Sequence, residues 1–182
     1  MSGRLILITG GSGSGKSAFA ERLLLREATG RPVYLATMAQ RDGESLRRIA
    51  RHRAMRAAHG QEAGRAFATV ERSTDIGGAE VEAGDFVLLE DLGNLLANEI
   101  WSPAGAGDRA EAAILAGIDA LLERAALLVV VSNEIFSDGC GYDEGTLGYI
   151  RALGRLHQAL VRRAGAAAEV VCGIPVWKKG GA

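Results

Sequence analysis

The sequence predicts an α/β fold in which a mostly parallel central sheet carries helices on both faces. Two observations predict it. Short apolar runs alternate along the chain with stretches of helical periodicity, and the first apolar run passes directly into a glycine-rich turn followed by a helix. Parallel strands buried on both faces read as unbroken apolar runs rather than alternating ones. Leu5-Ile6-Leu7-Ile8, Phe86-Val87-Leu88-Leu89 and Leu127-Leu128-Val129-Val130-Val131 are of that kind.

In chain order, strands are expected at Arg4–Thr9, Val33–Ala36, Phe67–Val70, Phe86–Leu89, Leu127–Val131 and Glu169–Cys172. Helices are expected at Ser17–Ala28, Gly43–Ala58, Leu92–Trp101, Asp108–Arg124 and Thr146–Ala164. Gly30 and Pro32 punctuate the first crossover. Two polar, glycine-bearing stretches, His59–Arg65 and Ser137–Gly145, read as long loops that could serve as lids or as solvated surface. No repeat, heptad array or linker divides the chain, so 1–182 is expected to be one domain.

Composition narrows the function. With 48% hydrophobic and 24% charged residues, the chain can build a core of ordinary size. A formal net charge of −1 gives no electrostatic case for nucleic acid as the main partner. No apolar run approaches a membrane span. The two cysteines, Cys140 and Cys172, form no CxxC pair and read as free thiols in a reducing cytoplasm.

The chemistry sits first in Gly10-Gly11-Ser12-Gly13-Ser14-Gly15-Lys16-Ser17, between the first strand and the first helix. Glycines at this spacing let successive backbone N–H groups face phosphates, and the helix N-terminus adds positive potential. Lys16 would reach the β and γ phosphates and the Ser17 hydroxyl would ligate Mg2+. The strand Phe86–Leu89 ends in Glu90-Asp91, either of which could supply the acidic group near the metal, the other capping the helix that follows. Val131-Ser132-Asn133-Glu134 is a third strand end rich in polar groups, and strand C-termini of an open parallel sheet converge on one crevice.

A second informative segment runs from Asp42 to Arg56. Leu46, Ile49 and Ala50 give a modest helical stripe, and His52 falls off it with Arg48 and Arg56 four residues to either side. Two guanidinium groups could hold phosphates and disfavour protonation of the imidazole, as a nucleophilic histidine requires. A solvated arginine-rich face with an incidental histidine explains the same residues.

Taken together, Thr9-Gly10-Gly11 through Ser17, Tyr34-Leu35-Ala36-Thr37, Arg48-Ile49-Ala50-Arg51-His52-Arg53, Leu88-Leu89-Glu90, Asn94 to Glu99, Val131 to Glu134, Leu153-Gly154-Arg155-Leu156 and Gly173-Ile174-Pro175-Val176 resemble the bifunctional adenosylcobinamide kinase and adenosylcobinamide-phosphate guanylyltransferase family of cobalamin biosynthesis. The resemblance implies a RecA-like P-loop fold, often assembled as a homotrimer. It implies phosphorylation of the aminopropanol hydroxyl of adenosylcobinamide by ATP or GTP, then transfer of GMP from GTP through a guanylylated histidine, which by motif position is His52. Nucleotide contacts are implied at Gly10, Gly11, Ser12, Gly13, Ser14, Gly15, Lys16 and Ser17, at Ala36, Thr37 and Met38, at Arg53, Ala54, Met55 and Arg56, and at Glu71 and Glu90. Asp91 stands where the family usually has cysteine, His157 where it has asparagine, and Ala168 where aspartate is common. Two other readings use the same P-loop: a small-molecule kinase in which His52 has no covalent role, and a GTP-binding module without transferase activity.

Overall fold

The computed structural model describes residues 3–39, 50, 54, 57–137 and 141–181. Among these lie β1 (Arg4–Gly10), α1 (Lys16–Glu27), β2 (Pro32–Ala36), β3 (Ala68–Glu71), β4 (Phe86–Glu90), α2 (Leu92–Trp101), α3 (Ala110–Arg124), β5 (Leu127–Asn133), α4 (Glu144–Arg163), β6 (Ala166–Val171) and β7 (Ile174–Lys179). The strands form one sheet in the order β3-β2-β4-β5-β1-β6-β7, parallel except for the β6–β7 pair. Most of the helix expected over 43–58 lies outside the described residues.

Alternation along the strands divides the core in two. Leu5, Leu7, Val33, Leu35, Val87, Leu89, Leu128 and Val130 pack with residues of α2, α3 and α4. Ile6, Ile8, Tyr34, Leu88, Leu127, Val129 and Val131 pack instead with Ala20, Leu23 and Leu24 of α1. Full burial of each large aliphatic side chain stabilises the fold by roughly 1.5–3 kcal/mol. Both faces of the central strands are therefore dry, which is why their sequences run apolar without alternation. The parallel register brings the strand ends level, with Gly10 opposite Asn133 and Glu90 opposite both Val131 and Ala36.

The structure departs from the sequence reading in several places. β7 was not expected: Ile174, Val176, Lys178 and Lys179 are exposed on an edge strand, so burial imposes no apolar pattern there. The turn before it, Cys172-Gly173, has φ of 51° and 80°. Positive φ at both positions is what a two-residue hairpin of type I′ requires. β6 begins at Ala166, earlier than expected, because pairing with β1 draws alanines of weak strand preference into the sheet. The stretch 59–65, expected to be a loop, is helical through residue 62. Gly64, with φ 64°, then ends the helix, Gly64 N–H donating to Gln61 O and Arg65 N–H to Gly60 O. α4 likewise begins inside the expected 137–145 loop, because Asp143 caps it by accepting from the Thr146 N–H at 2.9 Å.

Candidate functional site

β1 delivers the chain to a loop whose glycines each answer a local need. Gly13 and Gly15 have φ of 74° and 88°, the left-handed region where a side chain is strained. A Cβ on Gly10 would lie 2.7 Å from the Val170 carbonyl oxygen, so β1 and β6 could not come this close with any other residue. The β6–β7 turn supports the loop from behind, Gly173 N–H donating to Ser14 O at 2.8 Å. α1 starts without a side-chain cap and without an acid in its first turn, whereas α2 and α4 are capped by Asp91 and Asp143. A helix start of that composition leaves positive potential for an anion. Lys16 is buried and its ammonium donates to Gly11 O at 3.1 Å, curling over the loop as a phosphate ligand would.

The two carboxylates ending β4 have separate tasks. Glu90 reaches across to α1, where the Ser17 hydroxyl donates to its Oε1 at 2.5 Å. Its Oε2 is buried and finds no hydrogen-bond partner among the described residues. Burial pushes the Glu90 carboxyl up to about 8; the Ser17 hydroxyl and Lys16 pull it down, and the nearby Asp91 and Glu21 carboxylates push it up. A divalent cation at this point would favour the ionised form. A hydroxyl and an under-satisfied carboxylate beside a phosphate cradle fit Mg2+, which takes few protein ligands and completes its shell with water and phosphate oxygens. Asp91 caps α2 instead, accepting from Asn94 N–H at 2.7 Å and from the amides of Asn94 and Asn133 at 3.2 and 3.4 Å. Glu134, the other carboxylate at a strand end, accepts from Phe136 N–H and the Ser137 hydroxyl and so shapes its own turn.

The remaining expected contacts are placed unevenly. Ala36 ends β2 opposite Glu90, and Thr37 and Met38 follow it. Thr37 is fully buried and engaged in the framework: its N–H donates to Glu90 O, its hydroxyl to Asp91 O, and its carbonyl accepts from Asn98 Nδ2. Glu71 is exposed at the end of β3, one strand further out and opposite Ala36. Ala54 is exposed. His52, Arg53, Met55 and Arg56 lie outside the described residues.

Two buried contacts near the crevice were not foreseen. Glu21, one helical turn beyond Ser17, is 1% exposed and pairs at 2.5 Å with Nδ1 of His59, the first residue of the stretch expected to be a loop. The signal available was the i, i+4 spacing from Ser17, which puts a carboxylate on the Ser17 side of α1. His157, which stands where the family usually has asparagine, contacts the Phe136 ring edge-on at 5.5 Å, and its Nε2 shares a 2.7 Å hydrogen bond with the buried Ser132 hydroxyl at the end of β5. Burial lowers the His157 pKa to about 4, partly opposed by the Glu134 carboxylate. The ring is therefore neutral at pH 7.

Comparison with known proteins agrees with this geometry. A KaiC-like protein of Pyrococcus horikoshii superimposes with a TM-score of 0.50 at 14% identity, covering 92% of this chain and 71% of its own, a likeness of RecA-like fold alone. The bifunctional adenosylcobalamin biosynthesis protein CobP of Pseudomonas aeruginosa is 35% identical over 178 residues, spanning 96% of both chains. The protein of Escherichia coli described in the same words, CobU, is 31% identical over 187 residues, spanning 94% of this chain and 98% of its own. The family model for cobinamide kinase / cobinamide phosphate guanyltransferase matches residues 6–177. The chain, a RecA-like P-loop protein, belongs to the cobinamide kinase / cobinamide phosphate guanyltransferase family.

Proposed function

We propose that this chain is a transferase of two linked steps, acting as a single domain. In the first, the terminal phosphoryl group of ATP or GTP passes to the aminopropanol hydroxyl of adenosylcobinamide. In the second, a nitrogen of His52 attacks the α-phosphorus of GTP. The bond to the β-phosphate oxygen breaks, pyrophosphate leaves, and the GMP held on His52 then passes to the phosphate made in the first step. The product is adenosyl-GDP-cobinamide. The observation that carries the reading is the Lys16 and Ser17–Glu90 arrangement beneath a P-loop, in a chain matched by this family over residues 6–177.

Each described residue has a task in this scheme. The amides of Gly10 to Ser17 hold phosphates, Lys16 offsets the charge that develops during transfer, and Ser17 with Glu90 would hold Mg2+. When bound, Mg2+ neutralises phosphate charge and aligns the reacting groups. Ala36, Thr37, Met38, Arg53, Ala54, Met55, Arg56 and Glu71 are proposed to meet the nucleotide, and the enzyme is proposed to work in the cytoplasm as a homotrimer. No helix among the described residues is long and apolar enough to cross a membrane.

The test is incubation with Mg2+ and GTP labelled at the α-phosphate, followed by recovery of protein. A phosphoramidate is stable to base and labile to acid, so the expected label has that behaviour, maps to His52 and is absent from His52→Ala, while phosphorylation of cobinamide persists in that variant. Undiminished label in His52→Ala, or label mapping to His59 or His157, would overturn the assignment. A kinase that phosphorylates cobinamide but never takes up label would favour the simpler P-loop kinase.

A further inference from the structure

At the flank of the phosphate loop, one buried pair has no task in the scheme above. Glu21 follows Ser17 by one turn of α1, and its side chain is 1% exposed. It pairs at 2.5 Å with Nδ1 of His59, whose side chain is 14% exposed and which belongs to the helical stretch 57–62. The Glu21 carboxylate is close enough to Glu90 to help push that carboxyl up, so the pair lies against the reaction centre and not on a remote face. The same stretch is held a second time just beyond its end. Arg65 N–H donates to Gly60 O, and Arg65 Nη1 donates to Gly30 O at 3.2 Å, in the turn between α1 and β2. Both attachments are made to α1 or to the turn that follows it.

A buried carboxylate and imidazole are a weak source of stability, since apolar side chains of similar volume would often serve as well. What such a pair adds is direction, because one short hydrogen bond fixes how two helical segments stand against each other. The topology says what is aligned. β1, β2 and β3 run the same way in the sheet. α1 and the stretch 57–62 each return the chain from a strand tip to the start of the next parallel strand, so both run away from the tips. Ala50 and Ala54, helical and earlier in the chain, therefore lie on the tip side of His59. His52 stands between them in the sequence, seven residues before His59. Seven residues of α-helix make nearly two whole turns and span about 10 Å, against about 6 Å for the four from Glu21 back to Ser17.

We propose that Glu21 and His59 are the positioning pair of guanylyl transfer, holding the segment that carries His52 in register with the phosphate loop so that its imidazole meets the α-phosphorus in line. This rests on the functional reading above and deepens it. Neither residue touches the nucleotide; both act through His52. Phosphoryl transfer to the acceptor relies on Lys16, Ser17 and Glu90, which α1 and β4 place without help from the stretch 57–62. The pair should therefore serve one reaction and leave the other alone.

The test reads the two reactions separately in each variant, at a temperature where thermal melts show the variant to be fully folded. Asparagine Nδ2 falls close to the place of histidine Nδ1, so His59→Asn can keep the bond to Glu21 and His59→Ala cannot. In His59→Ala the maximal rate of label uptake from GTP labelled at the α-phosphate is expected to fall on the order of 100-fold, the size of effect produced by displacing a reacting group about an ångström, while the GTP concentration at half that rate and the turnover of cobinamide phosphorylation stay within about twofold. His59→Asn is expected to recover most of the labelling, which also separates positioning from a role in which His59 itself takes up GMP. An undiminished labelling rate in His59→Ala would overturn the proposal and leave the two-step function standing. So would cobinamide phosphorylation that falls in step with labelling, or labelling that His59→Asn fails to restore. If the unaltered enzyme takes up no label at all, the functional reading fails and this inference with it.

Discussion

His157 makes acid stability a direct probe of the crevice. Its pKa is lowered to about 4 in the folded chain from an ordinary 6.5, so the unfolded chain binds the proton more readily. Between those values the unfolded state is favoured as pH falls. The stability at stake is fully present above pH 6.5, is lost progressively on acidification, and no longer changes below pH 4. Linkage over two such titrations gives a difference of about 0.2 kcal/mol at pH 7 and about 2 kcal/mol at pH 5. For a chain of this length, about 2 kcal/mol corresponds to roughly 4–8 °C in Tm. His157→Gln keeps a polar group within reach of the Ser132 hydroxyl but cannot titrate. Thermal unfolding followed by circular dichroism at pH 7 and pH 5, on both proteins, isolates the contribution as a difference of differences. The variant is expected to lose less Tm than the unaltered protein between the two pH values. An equal loss in both would show that His157 is free to protonate in the folded state, and that its burial against Phe136 and Ser132 is not what the geometry implies.

Two substitutions address the crevice itself. Lys16→Ala is expected to lower phosphoryl transfer at least about 100-fold, as loss of a preorganised charge at the transition state does, with an unchanged circular dichroism spectrum; turnover within a few fold of the unaltered enzyme would remove Lys16 from the chemistry. Glu90→Gln is expected to weaken the Mg2+ dependence of the kinase step about 10- to 100-fold, the range seen when a group supporting a metal is replaced, while a fluorescent GTP analogue binds nearly as before. Normal Mg2+ titration in that variant would move the metal role elsewhere.

The parts of this molecule that could be read from sequence are those where burial or backbone geometry leaves few residue choices. β1, β4 and β5 are dry on both faces and so spell themselves out in aliphatic residues. α2 was bounded correctly at Leu92–Trp101 because Asp91 is a cap by chemistry as well as by position. The P-loop was legible because its glycines are needed for backbone reasons that no other residue meets. β7 was missed because an exposed edge constrains little, although Gly173-Ile174-Pro175 had been singled out for another reason. The support that Gly173 gives Ser14 is a contact between distant parts of the chain, to which local periodicity is blind. The Glu21–His59 pair was hidden in the same way, joining residues 38 apart in the chain.

The level strand tips also bear on how relatives of this protein can diverge. Gly10, Asn133 and Glu90 sit on adjacent strands tied by ladder hydrogen bonds, so none can shift far without disrupting its neighbours. Among relatives of this protein, the spacing of Lys16, Ser17 and Glu90 should therefore stay constant to within the stiffness of the sheet.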